Sequence, residues 1–180
     1  MARMRADDAP MRRIMLVGCG GAGKSRLARL LGQKLALPVI HLDVHFWRPG
    51  WQAPEHEAWR AQLSALVAGS NWVMEGNYIN TFDIRMPRAD SLVWLDYPRT
   101  TCMRRVLMRT LKGYGRTRPD LAPECPERFD REFLSFVWNF QRTQNPRIVA
   151  GIDQFGGHLH VTRLGTDHEV EDFLARLKAA

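Results

Sequence analysis

A glycine-rich turn near the start of the chain constrains the fold more than any other feature. Residues 18–25, GCGGAGKS, match the pattern G-x-x-x-x-G-K-[ST] in full. The apolar run at 14–17 precedes this turn and predicts a buried strand. After Lys24 the apolar residues recur at helical spacing, as Leu27, Leu30, Leu31 and Leu35. A strand, a glycine turn and a helix start in this order predict a loop whose backbone N–H groups bind phosphate.

The residues of this loop have separate predicted roles toward a bound nucleotide. Lys24 is expected to reach the terminal phosphates, and Ser25 is expected to hold Mg²⁺. Glu75, at the end of a later apolar run, is expected to hold a magnesium-bound water, and capping of its own loop is the alternative role. ATP and Mg²⁺ are therefore the predicted cofactors. The predicted nucleotide contacts in the loop and the first helical turns are Gly18, Gly20, Gly21, Ala22, Gly23, Lys24, Ser25 and Leu27.

Length and composition favour a single domain. The chain has 180 residues, of which 45% are hydrophobic, and this is enough for one full core. Residues 1–11 show no periodic pattern and predict a flexible tail, so the domain is expected over 12–180. No apolar run approaches the roughly 18 residues that span a bilayer, and the start lacks the apolar core of a signal peptide. Three widely spaced cysteines are typical of reduced thiols. We therefore expect a cytoplasmic protein without membrane contact, as a monomer or weak homodimer.

Apolar runs alternate with helical patterns along the rest of the chain. Further strands are predicted at 39–42, 72–76, 91–96 and 158–164, with helices between them and a long aromatic helix from about Glu127. This alternation predicts an α/β fold with a mostly parallel sheet and helices on both faces. Ligands of such sheets bind beyond the carboxyl ends of the strands, where we expect Asp43, Glu75 and Asp96 to meet the phosphate loop. The loop at 113–127, rich in glycine and proline, is predicted to be a functional lid.

Basic residues are concentrated in one segment of the sequence. The formal charge is +7, and between Arg99 and Pro119 there are seven basic residues and no acidic one. Such a segment favours an anionic partner, either polyphosphate in a pocket or a nucleic-acid backbone on an outer face. A solvated helix face is the third interpretation, and charge alone does not choose between them.

Two stretches resemble the adenylate-kinase-like P-loop kinases, and the resemblance extends over residues 12–180. They are GCGGAGKS and WLDYPRTTCMRRVLMR (94–109), in which a strand ending Asp-x-Pro leads into a helix with an Arg-x-x-x-Arg pair. The resemblance implies a three-layer P-loop NTPase fold with strand order 2-3-1-4-5 and a short lid. It also implies that Arg105 and Arg109 cover the base and phosphates of ATP, and that Arg118 and Arg128 clamp phosphate.

A narrower resemblance is to the bacterial DNA topology modulation proteins, a kinase-like group. It rests on HLDVHFWRPGW (41–51), EGNY (75–78), GRTRPDL (115–121) and CPERFD (125–130). Adenylate kinases have a T-G-[DE]-x-[LM]-R segment and a G-F-P-R segment that bind AMP. This chain has HLDVHFWRPGW and EGNYINTFDIR (75–85) instead, which argues against AMP as the acceptor of the phosphate.

The acceptor segment is predicted at about 43–69, and Asp43 is its leading candidate. A hydroxyl acceptor needs a carboxylate to take its proton, and kinases of sugars and shikimate use an Asp at the end of this strand. An outer magnesium contact or loop capping is the alternative role of Asp43. A phosphate acceptor needs no base and would be held by Arg48 or Arg85. Aromatic side chains, including Trp51, line the pocket or pack the lid, while Trp59 and Trp138 are assigned to packing. The predicted acceptor contacts are Asp43, Trp47, Arg48, Gly76, Asn77, Tyr78 and Arg85.

Two classes of function follow from these features. The first is an ATP phosphotransferase acting on a nucleotide or another small molecule, with catalytic candidates Lys24, Asp43, Arg109, Arg118 and Arg128. The second is a nucleotide-binding regulator that contacts nucleic acid through the basic segment. A kinase directs its arginines into the cleft, whereas a nucleic-acid binder spreads them over an outer surface. The sequence has no dedicated DNA-reading motif, which favours the enzyme.

Overall fold

One five-stranded sheet forms the centre of the molecule. A computed structural model describes residues 11–178, and its strands are β1 (Arg13–Gly18), β2 (Val39–His41), β3 (Trp72–Glu75), β4 (Ser91–Leu95) and β5 (His160–Leu164). All pair in parallel, in the order β2-β3-β1-β4-β5 with helices on both sides. The predicted α/β fold and strand order are therefore confirmed. Strands β1, β3 and β4 are almost entirely buried, because both faces of the sheet are covered.

Helices connect the strands and close the chain. In the described residues they are α1 (Lys24–Leu35), α2 (Leu42–Phe46), α3 (His56–Leu66), α4 (Phe82–Arg85), α5 (Arg99–Gly113), α6 (Arg131–Thr143), α7 (Asn145–Phe155) and α8 (Asp167–Arg176). A capping box begins α8, since the Thr166 hydroxyl accepts from the Glu169 N–H while the Glu169 carboxylate accepts from the Thr166 N–H. Residues 1–10 of the predicted tail lie outside the described residues, and Met11 packs against the core. No helix within 11–178 has the length and apolar character needed to cross a membrane.

Short helical segments replace what the sequence predicted to be irregular loops. Asp43 lies inside α2 rather than directly at the end of a strand, and helical turns cover most of 79–88. The predicted aromatic helix is present as α6, but it starts later than the expected Glu127 and is followed by a separate helix, α7. Helix α6 begins at Arg131, where the Asp130 carboxylate accepts the Phe133 N–H, and α7 starts separately with Pro146 in its first turn. Proline lacks an N–H donor and is tolerated at a helix start, so it marks the new helix.

The strand register brings the candidate residues to one edge of the sheet. Glu75 pairs with Leu16 of β1 on one side and with His41 of β2 on the other. The phosphate loop follows β1, so Asp43 and Glu75 lie beside it, as predicted from strand ends. Asp96 follows a strand at the same edge but does not line the cleft, because its carboxylate accepts from Gln141 late in α6, Asn145 at the start of α7 and Arg163 in β5.

Candidate active site

A cleft of about 1150 Å³ lies above the phosphate loop at the carboxyl edge of the sheet. Its floor is the loop and the start of α1, and one wall comes from α2, the segment after α2 and the segment after β3. The other wall comes from α5, the lid and α6. The lining residues used below are Gly20, Gly21, Lys24, Ser25, Asp43, Trp47, Trp51, Glu75, Gly76, Asn77, Tyr78, Arg105, Arg109, Arg118, Asp120, Glu127, Arg128, Phe133 and Phe136.

Neighbouring helices hold the phosphate loop in its shape. Gly21 has φ +81°, and a Cβ there would lie 2.5 Å from the carbonyl oxygen of Cys102 in α5. A Cβ on Gly20 would lie 2.9 Å from the ring of Phe133 in α6. The Lys24 ammonium donates to the carbonyls of Gly18 (2.9 Å) and Cys19 (3.1 Å). The loop is thus packed tightly from behind, and its lysine is fixed across it.

Not every predicted loop contact faces the main cleft. Gly18 is buried, and its N–H donates to Asn77 Oδ1 at 2.9 Å. Ala22 and Leu27 are also buried and line a second pocket of about 260 Å³ behind the loop. Arg105 lines both pockets, since it extends past the loop from α5. The predicted nucleotide contacts therefore divide into a group in the cleft and a group behind it.

Ser25 and Glu75 form the oxygen-rich corner of the cleft. The Ser25 hydroxyl donates to Glu75 Oε1 at 3.0 Å, and His41 Nδ1 lies 2.8 Å from the same oxygen. Asp120 of the lid is buried nearby. Burial disfavours its charged form, but Arg118 and a hydrogen bond from Ser25 keep the pKa of Asp120 below its usual value. The residues at 11–178 include no group of three or more His, Cys, Asp or Glu side chains placed to hold a metal. A hydroxyl with one or two carboxylates fits Mg²⁺ that is bound together with nucleotide phosphates.

Asp43 and Tyr78 form a hydrogen-bonded pair opposite the loop. The Tyr78 hydroxyl donates to Asp43 Oδ1 at 2.6 Å. Burial raises the pKa of Asp43, the bond from Tyr78 lowers it, and the charge of Glu75 raises it again. Tyr78 itself has φ +32°, a left-handed conformation that non-glycine residues adopt rarely. Such a conformation persists only where surrounding contacts enforce it.

Arg85 provides the contacts that hold Tyr78 in this conformation, and it does not take the predicted role of holding a phosphate acceptor. Its guanidinium is fully buried and donates to the carbonyls of Gly76 (3.0 Å), Tyr78 (3.1 Å) and Asn77 and to the Thr81 hydroxyl (3.1 Å). Burial lowers the pKa of Arg85 to about 9, so the group is still charged at neutral pH. Its donors are directed to the 76–78 loop and to Thr81, and Arg85 does not line the cleft. Arg85 therefore supports the backbone of Tyr78 from outside the cleft.

Arg48 also lies away from the predicted position. Its side chain is exposed, and its backbone pairs with Gln52 in the turn after α2. It is not among the residues that line the cleft. Both arginines predicted to hold a phosphate acceptor are therefore elsewhere.

Four arginines of α5 and the lid line the cleft. Arg109 and Arg118 each place Nε beside Oε1 of the buried Glu127, at 3.0 and 2.6 Å, and Arg118 also pairs with Asp120 at 2.8 Å. Burial and the neighbouring charge of Arg118 lower the pKa of Arg109. Arg105 pairs with Asp167 and lies over the ring of Tyr97. These carboxylates hold the arginines in place while leaving this side of the cleft basic.

Arg128 is the fourth of these arginines. Its guanidinium lies 5.7 Å from the centre of the Trp51 ring, and it is the most exposed of the four. The lid also contacts the turn after α2 directly. The Gly50 N–H donates to the Glu124 carbonyl (3.1 Å), and Trp51 Nε1 donates to the Pro126 carbonyl (3.3 Å). The structure thus joins the lid to the acceptor segment.

Some cleft residues were not expected from the sequence. Phe133 and Phe136 recur at core spacing in α6, but both line the cleft, and only Val137 and Phe140 of that stripe are buried. An apolar helix face has the same spacing whether it lines a cleft or packs in a core, so the sequence pattern could not distinguish the two positions. Glu127 carried no sequence signal at all. Trp138, assigned to packing, is 42% exposed, with Arg99 over its ring.

Comparisons with known proteins show the fold. A scan against protein-family models finds no match, and a search of curated proteins finds none. Solved structures do match. Shikimate kinase from Acinetobacter baumannii, in complex with shikimate, is 15% identical, with 92% of this chain and 90% of that chain covered and a TM-score of 0.59. Shikimate kinase from Bacteroides thetaiotaomicron is 21% identical, with 92% and 96% covered and a TM-score of 0.57. The chain therefore has the same fold as these two shikimate kinases, a five-stranded parallel sheet with helices on both sides.

Proposed function

We propose that the protein is a magnesium-dependent ATP phosphotransferase that acts on a hydroxyl group of a small molecule. The main support is that the phosphate loop and the carboxylate of Asp43 face one cleft. The lid and α5 contribute four arginines to the same cleft. Phosphoryl transfer is catalysed mostly by positioning and charge neutralisation, and this arrangement provides both. The similarity to shikimate kinases agrees with this class of reaction.

The nucleotide side of the proposed mechanism uses the loop and the arginines. Loop N–H groups and Lys24 bind the phosphate chain, and Arg109, Arg118 and Arg128 neutralise charge on the transferred group. Ser25 and Glu75 would hold magnesium, directly and through water. When bound, the ion would supply charge neutralisation along the phosphate chain. Phe133 and Phe136 form an apolar wall beside these groups and help exclude water.

Asp43 carries the proton transfer on the acceptor side. The acceptor oxygen forms a bond to the γ-phosphorus as the bond from that phosphorus to the β-bridging oxygen breaks, and ADP leaves. The hydroxyl proton passes to a carboxylate oxygen of Asp43. The hydrogen bond from Tyr78 orients the carboxylate and favours its ionised form.

A nucleotide-binding regulator that contacts nucleic acid is the second candidate. The observation that favours it is that four other basic side chains of the same segment are exposed: Arg99, Arg104, Lys112 and Arg116. The sequence resemblance to DNA topology modulation proteins agrees with this function. The cleft positions of Arg105, Arg109, Arg118 and Arg128 favour the kinase.

Lys24→Ala tests the proposal directly. Calorimetry with a non-hydrolysable ATP analogue and Mg²⁺ should show affinity falling by about 10- to 100-fold, because one charge-assisted contact to phosphate is lost. Lys34→Ala, at the other end of α1 and outside the cleft, is the matched control and should bind normally. Equal affinity in the two variants, or no binding to the unaltered protein, contradicts the proposal.

A further inference from the structure

The cleft is divided by charge into two halves. Its basic residues come from α1, α5 and the lid and surround the nucleotide side. The opposite half is formed by two carboxylates, Asp43 and Glu75, with aromatic and amide side chains around them. The charge of Glu75 raises the pKa of Asp43, while the charges of Lys24 and Arg118, across the cleft, lower it. An anionic acceptor placed here would meet like charge.

No arginine belongs to this second half within the described residues. Arg85 donates all its hydrogen bonds to the 76–78 loop and Thr81, and Arg48 points outside the cleft. Arg109 and Arg118 are nearest, and both are paired with the buried Glu127. The remaining cation is Arg128, which lies against the outer tryptophan of the pocket.

Two indole rings form a corner on this side. Trp47 and Trp51 lie with ring centres 5.4 Å apart and planes at 70°, and both line the cleft. Phe46 packs against Trp47 from behind (4.9 Å between ring centres) and also against Tyr78 (4.7 Å). Rings supported in this way present fixed apolar faces, which suit the flat face of another ring. Asn77 adds an uncharged amide for hydrogen bonding.

We propose that the acceptor is an uncharged ring compound with a free hydroxyl, either a nucleoside or a sugar, and not a phosphate or carboxylate compound. This inference rests on the proposed phosphotransfer. The ring face packs in the Trp47–Trp51 corner, and the hydroxyl points to Asp43. The carboxylate of Asp43 disfavours an acceptor anion and no arginine of the described residues belongs to this half, so binding energy comes from the aromatic corner and neutral hydrogen bonds.

The experiment uses acceptor pairs that differ by one charged group, with ADP formation as the readout. The pairs are nucleosides with their 5′-monophosphates, glucose with glucose 6-phosphate, and methyl shikimate with shikimate. The uncharged member of a productive pair should have a kcat/KM about 100-fold above its charged partner, because the charged group meets like charge; at 1.4 kcal/mol per tenfold this ratio is about 2.8 kcal/mol.

Two variants locate the effect. Trp47→Ala should raise KM for the uncharged acceptor by about 10-fold or more with a smaller change in kcat, because the packed face is lost. Trp138→Ala, which removes an exposed indole outside the cleft, should change neither constant. Arg128→Gln should lower activity with ATP without changing the preference for the uncharged member.

Each other outcome has a defined meaning. A preference for the charged member overturns the inference and leaves the phosphotransferase intact. Loss of the preference for the uncharged member in Arg128→Gln has the same meaning. If the protein binds the ATP analogue but phosphorylates neither member of any pair, the inference is also overturned. Failure to bind the analogue at all contradicts the proposed function instead.

Discussion

At the residue scale, the protonation of Asp43 depends on one hydrogen bond. Burial and the nearby Glu75 both raise the pKa of this carboxyl, and the Tyr78 hydroxyl opposes them. Burial and the negative charge of Asp43 raise the pKa of Tyr78 in turn, so the phenol remains a donor. A base must be ionised to accept a proton, so the pair keeps Asp43 ready for that role over a wider pH range than burial alone would allow.

Removing this donor should shift the titration of Asp43 upward. Tyr78→Phe deletes a hydrogen bond to the ionised form, so the pKa of Asp43 should rise further above its usual value. As the pH is lowered, the variant would then lose activity at a higher pH than the unaltered protein. The measurement is an NMR titration of the Asp43 carboxyl carbon, assigned by its loss in Asp43→Asn. An unchanged or lower pKa in Tyr78→Phe would contradict the assignment of the bond.

Single residues also mark the limit of what sequence reveals. Lys24, Ser25, Asp43 and Glu75 were found because a motif or a strand end fixes their place in the chain. The role of Arg85 was predicted wrongly because the sequence EGNYINTFDIR (75–85) does not show whether this arginine faces a ligand or is buried under the loop. Its role depends on carbonyls at 76–78 folding back onto it, which is a tertiary property.

At the scale of elements, the phosphate loop depends on how closely α5 approaches it. Gly21→Ala would place a Cβ against the Cys102 carbonyl in a left-handed conformation, so we expect a loss of about 1–3 kcal/mol in the free energy of unfolding. Gly157→Ala is the control, since nothing lies within 4 Å of its Cβ position and its φ is not positive. Urea denaturation measures both. Equal stability of the two variants would show that α5 does not constrain the loop.

The contact between the lid and the turn after α2 gives a second test at this scale. Trp51→Phe removes the N–H that donates to the Pro126 carbonyl. The free energy of local opening of the lid should fall by about 0.5–1.5 kcal/mol, so amide hydrogen exchange across 113–127 should become up to about 10-fold faster. Trp138→Phe provides a control in an exposed position of α6. Unchanged exchange in the lid of Trp51→Phe would mean that this bond does not hold the lid.

Element types were predictable where one local pattern was sufficient. Apolar runs ended by glycine or by Asp-x-Pro predicted the strands, and their alternation with helices predicted a parallel sheet. The order of the strands in that sheet came from the family resemblance. Helix α2 was missed because five residues are too few for a helical period to be visible. The division between α6 and α7 was missed because QRTQN (141–145), between Phe140 and Pro146, has no glycine to end a helix.

At the scale of the whole molecule, the charge of +7 is compatible with both candidate functions. Four arginines of the basic segment and lid line the cleft, while other basic side chains face outward. Outward charges attract any polyanion, and that attraction falls steeply with salt. Phosphates held by a loop and paired arginines are screened less, because the contacts are partly buried. Salt dependence therefore separates the two functions.

Thermal unfolding with each ligand makes this test. A non-hydrolysable ATP analogue with Mg²⁺, at about 100 times its Kd, should stabilise the native state by about 2.7 kcal/mol and raise Tm by about 5–10 °C. This shift should persist at about 150 mM salt. Duplex DNA should give a smaller shift that disappears between about 50 and 200 mM salt, because it meets only the outward charges. At the same analogue concentration Lys24→Ala should reduce the first stabilisation to about 0.4–1.4 kcal/mol, because the ligand is then at only about 1 to 10 times the Kd of the variant, and it should keep the second shift. A DNA shift that equals the nucleotide shift near physiological salt would instead favour the nucleic-acid-binding regulator, since surface attraction alone would not survive that screening.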